Sequence, residues 1–213
     1  LSIGDGTGTD TVRLDAANQI ASSATVTFNN SGGTPTLNLN GYSQTLGSIS
    51  STNTGAQLQL GSGSTFTVGD SSNTTFAGVI SGGSGSSFVK QGSGTLTLSG
   101  TNTFTGATTV ATNGGTLNLQ TSSALTGTAG TTVNSGGTVA LQGGVSVANG
   151  TLSLTGTGAG GVGALTNVSG DNRWNGDVTL TGNTLITTQA GTLTIGPDNP
   201  YTFTRSEEHT SEL

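Results

Sequence analysis

Residues 94–100 read GTLTLSG and residues 115–120 read GTLNLQ; in each, leucine alternates with threonine, asparagine or serine behind an opening glycine. Alternation with period two puts the leucines on one face of a strand and the polar residues on the other. The same design recurs at TLNLNG (36–41), GTVALQG (137–143), GTLSLTG (150–156), GDVTLTG (176–182) and GTLTIG (191–196). Leu37 and Leu58, Leu96 and Leu117, and Leu117 and Val139 lie roughly 21 or 22 residues apart, while other gaps are nearer 13, 15 or 26. Such spacing suits the coils of a solenoid with turns of variable length. No apolar i, i+3, i+4 stripe of useful length interrupts it, and a glycine falls every few residues, so helix is not expected.

An antiparallel sandwich would also give alternating strands, and the charge content separates the two. In a parallel solenoid each coil stacks on the last at roughly 4.8 Å, so every outward position recurs above itself. Like charges at that spacing repel by about 0.9 kcal/mol even at the dielectric constant of water. Thr, Ser and Asn stack instead with hydrogen bonds or favourable packing. Only 7% of the chain is charged, and Gly, Ser and Thr make up about half of it. Inward, Leu96 and Leu98, Leu117 and Leu119, Val139 and Leu141, Leu152 and Leu154, Val178 and Leu180, and Leu193 and Ile195 are expected to form aliphatic ladders. Each buried side chain contributes about 1.5–3 kcal/mol, so the core grows coil by coil. The fold expected is all-β: a parallel β-helix (β-solenoid) over residues 1–204, in about nine or ten coils.

The first residue is Leu1, methionine is absent, and no basic segment leads into an apolar run, so the chain reads as a fragment of a longer protein without caps. No stretch approaches the roughly 18–20 apolar residues that a membrane helix needs. The lack of cysteine removes disulfides and thiolate metal sites and suits export through an oxidising compartment. A net charge of −6 gives no basic patch for nucleic acid. Residues 205–213, RSEEHTSEL, are of another composition: they hold every glutamate (Glu207, Glu208, Glu212) and the single histidine, His209. This tail resembles the translation of a short-read sequencing adapter and is read as non-native.

A second repeat lies across the first. SGTNTFTGATTV (99–110) aligns with SGDNRWNGDVTL (169–180), and NTTFAG (73–78) is a looser copy of its centre. Each sets an asparagine before an aromatic (Phe104, Trp174, Phe76), with a glycine two positions after it. Asn and Gly are expected to form a corner in left-handed backbone while the aromatic plugs the interior.

KQGSGTLTLSGTNTFTGATTV followed by GGTLNL (90–119) resembles the autotransporter-associated β-strand repeat of autotransporter passenger domains and related large bacterial surface proteins. STFTVGDSSNTTFAGVISGGSGSSFVKQG (64–92), LNLNGYSQTLGSIS (37–50) and DTVRLDAANQIASSATVTF (10–28) resemble the segments that recur before it. The resemblance implies a right-handed β-helix carried outside the cell, on the cell surface or secreted, and exported through a C-terminal outer-membrane barrel. Neither a barrel nor a signal peptide occurs in these residues, so membrane association is expected only through a barrel or anchor elsewhere in the parent protein.

Candidate chemistry is sparse. Residues 1–204 contain no His, Cys or Glu, which removes Ser-His-Asp, Cys-His and zinc arrangements. Asp171, Arg173 and Asp177 beside Trp174 combine two carboxylates, a cationic clamp and a stacking ring. The matched repeat carries Thr101, Thr103 and Ala107 instead, so the charges are expected to decorate a structural corner. GTGTDTV (6–12) follows half of a calcium-binding nonapeptide, with Asp5 and Asp10 as the ligands it would need, but one copy cannot complete a coordination sphere built between coils. Lys90 is expected to be an exposed turn residue. No catalytic, cofactor-binding or metal-ligating residue is therefore assigned. The expected function is an extracellular structural or adhesive stalk with no cofactor and no chemistry of its own, meeting host or environmental glycans, neighbouring cells or copies of itself. The alternatives are a carbohydrate-active β-helix enzyme around Asp171 and Asp177, and a calcium-stabilised rod.

Overall fold

The computed structural model describes residues 1–29, 31–148 and 150–196, together with the backbone of Thr204–Arg205. The chain winds into a parallel β-solenoid of about nine turns, all-β and almost without helix. Every paired strand is parallel to its neighbours. The alternating segments are too short and too glycine-rich to close a sandwich on their own, so each buries its apolar side against the other faces of its own coil.

Each coil visits three faces in turn. The first face begins with Ser2–Ile3, Thr25–Phe28 and Ser48–Ser50, passes through a bridge between Ser51 and Phe76, and continues as a six-stranded sheet that includes Thr95–Leu98, Gly115–Leu119, Gly137–Gln142 and Leu165–Ser169. The second holds Thr11–Arg13, Thr36–Asn38, Gln57–Gln59 and Val79–Ser81, and further along Ser146–Val147, Asn172–Trp174 and Leu193–Ile195. The third is an eight-stranded sheet running from Gln44–Leu46 to Thr204–Arg205.

The ladders follow the repeats. Leu96 pairs with Leu117, Leu117 with Val139, Val139 with Leu165, and Leu165 with Ile186. Leu37 pairs with Leu58 as the spacing of the two required. The strings beginning GTL or GTV do not all share one ladder, however. Val139 stands on the first face, whereas Leu152, thirteen positions later, pairs with Thr131 and Val178 on the third. Leu193 pairs with Asn172 on the second. The gaps of 13 and 15 are thus steps between faces, whereas the gap of 26, from Leu152 to Val178, is a lengthened step from one coil to the next on the third face.

Outward positions stack through hydroxyls and amides: Ser48 donates to the hydroxyl of Thr25 at 3.0 Å, Thr187 to that of Thr166 at 2.8 Å, and Asn118 to the Gln142 carbonyl oxygen at 2.9 Å. Around Val139 the gap to the next coil lengthens, and the excursion that takes up the extra residues contains a short 3-10 turn, Ala159–Gly161. It folds back over the first face. Thr138 donates to the Gly163 carbonyl at 2.8 Å and accepts from the Ala159 amide at 2.9 Å, and the outward Ala140 and Thr166 are both buried.

Phe76, Phe104 and Trp174 are wholly buried, as the second repeat implied, although Phe76 belongs to the first face and Trp174 to the second. The corner asparagines work differently from the expectation. Positive φ falls on Asn18, Asn40 and Asn113, not on Asn102 or Asn172. Asn102 accepts from the Ile80 amide of the coil before and donates to the Ala124 carbonyl of the coil after, each at 2.8 Å. Asn172 accepts from the amides of Gly144 and Val145 at 2.9 and 2.7 Å. Asparagine is needed here because its amide satisfies the main chain of neighbouring coils where strand pairing lapses. Residues 206–213, most of the segment read as non-native, lie outside the described residues.

Candidate functional site

Asp171 and Asp177 flank the strand Asn172–Trp174 at opposite ends. Alternation sends Asn172 and Trp174 inward and leaves Arg173 half-buried on the outer side. The carboxylate of Asp171 accepts the Thr192 amide of the next coil at 2.9 Å. Arg173 donates through Nε to the side chain of Asn175 and through an Nη to the Gly196 carbonyl at 3.0 Å. These bonds tie the corner to its neighbouring coil. The strand and the bend after Trp174 leave both aspartates exposed, one at each end of this face. Trp174, the ring offered for stacking, is fully enclosed.

The turn at residues 5–10 also consumes its carboxylates. Asp5 accepts from the amide and the hydroxyl of Thr7 at 2.9 and 3.0 Å, and these bonds hold its carboxyl below the usual range. Asp10 accepts the Asp5 amide at 3.2 Å. Such turns close on themselves. Among the described residues, no group of three or more His, Cys, Asp or Glu side chains is placed to hold a metal ion.

Lys90 overturns the expectation of an exposed turn. It is 1% exposed, standing in register between Val68 of the coil before and Val110 of the coil after. The column Leu46, Val68, Lys90, Val110, Val133, Leu154 is aliphatic except for this one residue. The stem packs as an aliphatic chain would, and the ammonium turns into the corner. There it donates to the carbonyls of Gln91, Gly92, Gly94 and Gly114 at 2.7, 3.0, 2.8 and 2.8 Å. Burial pushes the ammonium down to about 8, against the opposing attraction of Asp70. A signal was present in the sequence: Lys90 lies two positions after Phe88, on the inward parity of the strand Ser87–Lys90.

The sequence reading missed a groove on the second face. Its floor is the outward column Asn38, Gln59 and Ser81, continued by Thr103, whose amide donates to Ile80 at 2.8 Å. One wall is bare backbone at Gly61 and Gly83, and the groove is shallow and open to solvent, with a volume of about 630 Å³. A β-carbon on Gly61 would lie 2.4 Å from the Gly41 nitrogen of the coil before, and φ there is positive, so this corner requires glycine.

Residues 88–119 match a family, the passenger-associated-transport-repeat. This stretch matches a repeat of autotransporter passengers. It opens on Phe88, takes in the whole Lys90 cage from Gln91 to Gly114, and closes on Leu117 and Leu119, so one match covers a complete coil and the ladder step to the next. Neither the curated proteins nor the solved structures gave a match to the chain.

Proposed function

We propose that the chain is a stalk segment of an autotransporter-like passenger, displayed outside a bacterial cell as a structural and adhesive rod with no chemistry of its own. The observation that supports this most is the seating of the transport repeat within a continuous parallel solenoid. A rod of about nine coils at the stacking rise extends roughly 40 Å, which lifts whatever lies beyond it from a membrane surface. The uncharged outer faces avoid repulsion between coils, and the absence of disulfides lets the coils form one after another as chain emerges.

The second reading, a carbohydrate-active enzyme, has weaker support, because Asp171 and Asp177 stand exposed at opposite ends of one face. The stalk reading is tested by fusing the chain between a bacterial signal peptide and an autotransporter barrel. Surface labelling of the intact cell and resistance of the displayed segment to added protease are the expected results. Retention in the periplasm would refute the reading. Hydrolysis of a polysaccharide panel by the purified chain, abolished in Asp177→Asn, would favour the enzyme instead.

A further inference from the structure

We propose that the groove over Asn38, Gln59, Ser81 and Thr103 is a binding site for a neutral oligosaccharide. Four successive coils contribute one outward side chain each, so amides and hydroxyls repeat along the axis at about 4.8 Å on a rigid sheet. Their capacity is partly unspent. Asn38 accepts the Asn40 amide through Oδ1 at 2.8 Å and keeps its own amino group for another partner. Gln59 donates one hydrogen to Gln57 at 2.9 Å and retains its carbonyl oxygen.

The chemistry of the lining selects the ligand. No Lys, Arg, Asp or Glu borders the groove. Arg13, the next residue down the column, reaches the side chain of the lining Asn40 at 3.0 Å, and Asp15 faces its guanidinium at 3.5 Å. A phosphate, a nucleic acid or an acidic glycan would find one guanidinium at the end of the groove, already faced by a carboxylate, and no charge along the rest of it. An extended peptide could not add to the sheet here, because Thr36–Asn38 and Gln57–Gln59 are paired on both sides and the outer edge of Val79–Ser81 is taken at Ile80 by the Asn102 side chain and the Thr103 amide. An apolar ligand would find amide and hydroxyl groups that it could not satisfy. A polyhydroxylated neutral chain both donates and accepts, and can satisfy amides in either sense. The bare backbone at Gly61 and Gly83 allows close approach, and Tyr42, 40% exposed next to the lining Gly41, offers a ring at that corner.

This site deepens the stalk reading and rests on it only for the supposition that the rod meets glycans outside the cell. The test is made in solution on the purified chain, so export plays no part in it. Amide spectra would be recorded while cellohexaose, chitohexaose, mannohexaose and, as the acidic control, hexagalacturonate are added to millimolar concentration. At least one neutral hexasaccharide is expected to shift the side-chain amide signals of Asn38 and Gln59. Affinity should fall about tenfold or more in the N38A/Q59A double variant and stay within about twofold in Thr132→Ala on the third face. Backbone amide signals of both variants away from the altered positions are expected to match the parent, which separates lost binding from lost fold, and N38A/Q59A is expected to melt slightly lower because the Asn40 amide loses its Asn38 acceptor. The site is refuted if no neutral probe moves those signals, if the double variant binds as the parent does, or if hexagalacturonate binds more tightly than every neutral probe.

Discussion

The ammonium of Lys90 donates to the carbonyl oxygen of Gly114, one coil further along the chain, at 2.8 Å. This bond, with three others to the Gln91, Gly92 and Gly94 carbonyls, makes one side chain the shared donor of two successive turns. In Lys90→Met the stem would still fill the column between Val68 and Val110, but the carbonyls would lose their donor. A loss of about 3 kcal/mol in urea unfolding is expected.

The same residue sets a pH dependence. The folded ammonium titrates near 8 instead of its ordinary 10.5, chiefly because it is buried. Below that window both folded and unfolded chains carry the proton. Within it the unfolded chain binds a proton that the folded chain has released, so the Lys90 contribution moves in favour of folding as pH rises. Between about pH 7 and about pH 10 the unfolding free energy of the parent should therefore rise relative to both Lys90→Met and Lys90→Arg, neither of which releases a proton in that range. An opposite sign would contradict the assignment.

Leu96 is 2% exposed, with Thr74 below it and Leu117 above it on the first face. Leu96→Asp places a carboxylate in that aliphatic column with no partner. Destabilisation of about 4 kcal/mol or more is expected, with protease sensitivity spreading to the coils on either side. A melt unchanged within about 0.5 kcal/mol would place Leu96 outside the core.

What could be read in advance and what could not divide along physical lines. The pairing of Leu96 with Leu117 was legible because inward parity and a repeat of constant length fix register together. The face taken by Leu152 was not, since GTLSL and GTVAL look alike and only the length of the intervening corner decides that they sit on different sides of one coil. Asn102 was recognised as a corner residue for the wrong reason: its importance lies in hydrogen bonds to Ile80 and Ala124, which join residues far apart in sequence. The groove left no mark at all in the local pattern. It arises where glycines 41, 61 and 83 hold three corners back from the column of Asn38, Gln59 and Ser81, a relation visible only when coils are superposed.

Gly106 and Gly182 separate two uses of glycine. A β-carbon at Gly106 would come within 1.7 Å of the Ser86 carbonyl oxygen, a main-chain atom of the coil before. At Gly182 the nearest atom is the Thr155 methyl group at 3.6 Å, and φ is not positive. Gly106→Ala should cost about 3 kcal/mol through displaced backbone, while Gly182→Ala should be neutral or stabilising by up to about 1 kcal/mol through the unfolded chain. Equal costs in thermal melts would show that the corner at Gly106 relaxes freely.

Thr108 offers the reverse case, a substitution that should strengthen the fold. It is 1% exposed, paired in register with Phe88 and Thr131, and its hydroxyl has no hydrogen-bond partner. An unsatisfied buried hydroxyl costs about 1–3 kcal/mol. The aligned copy of the repeat carries Val178 at this position, where it is buried and paired with Leu152. Valine keeps the β-branched shape and strand preference while removing the polar atom. Thr108→Val is therefore expected to raise stability by about 1 kcal/mol and the melting temperature with it. A drop of similar size would mean that the Thr108 hydroxyl is satisfied in solution, and that the column from Phe88 to Thr131 is polar by requirement.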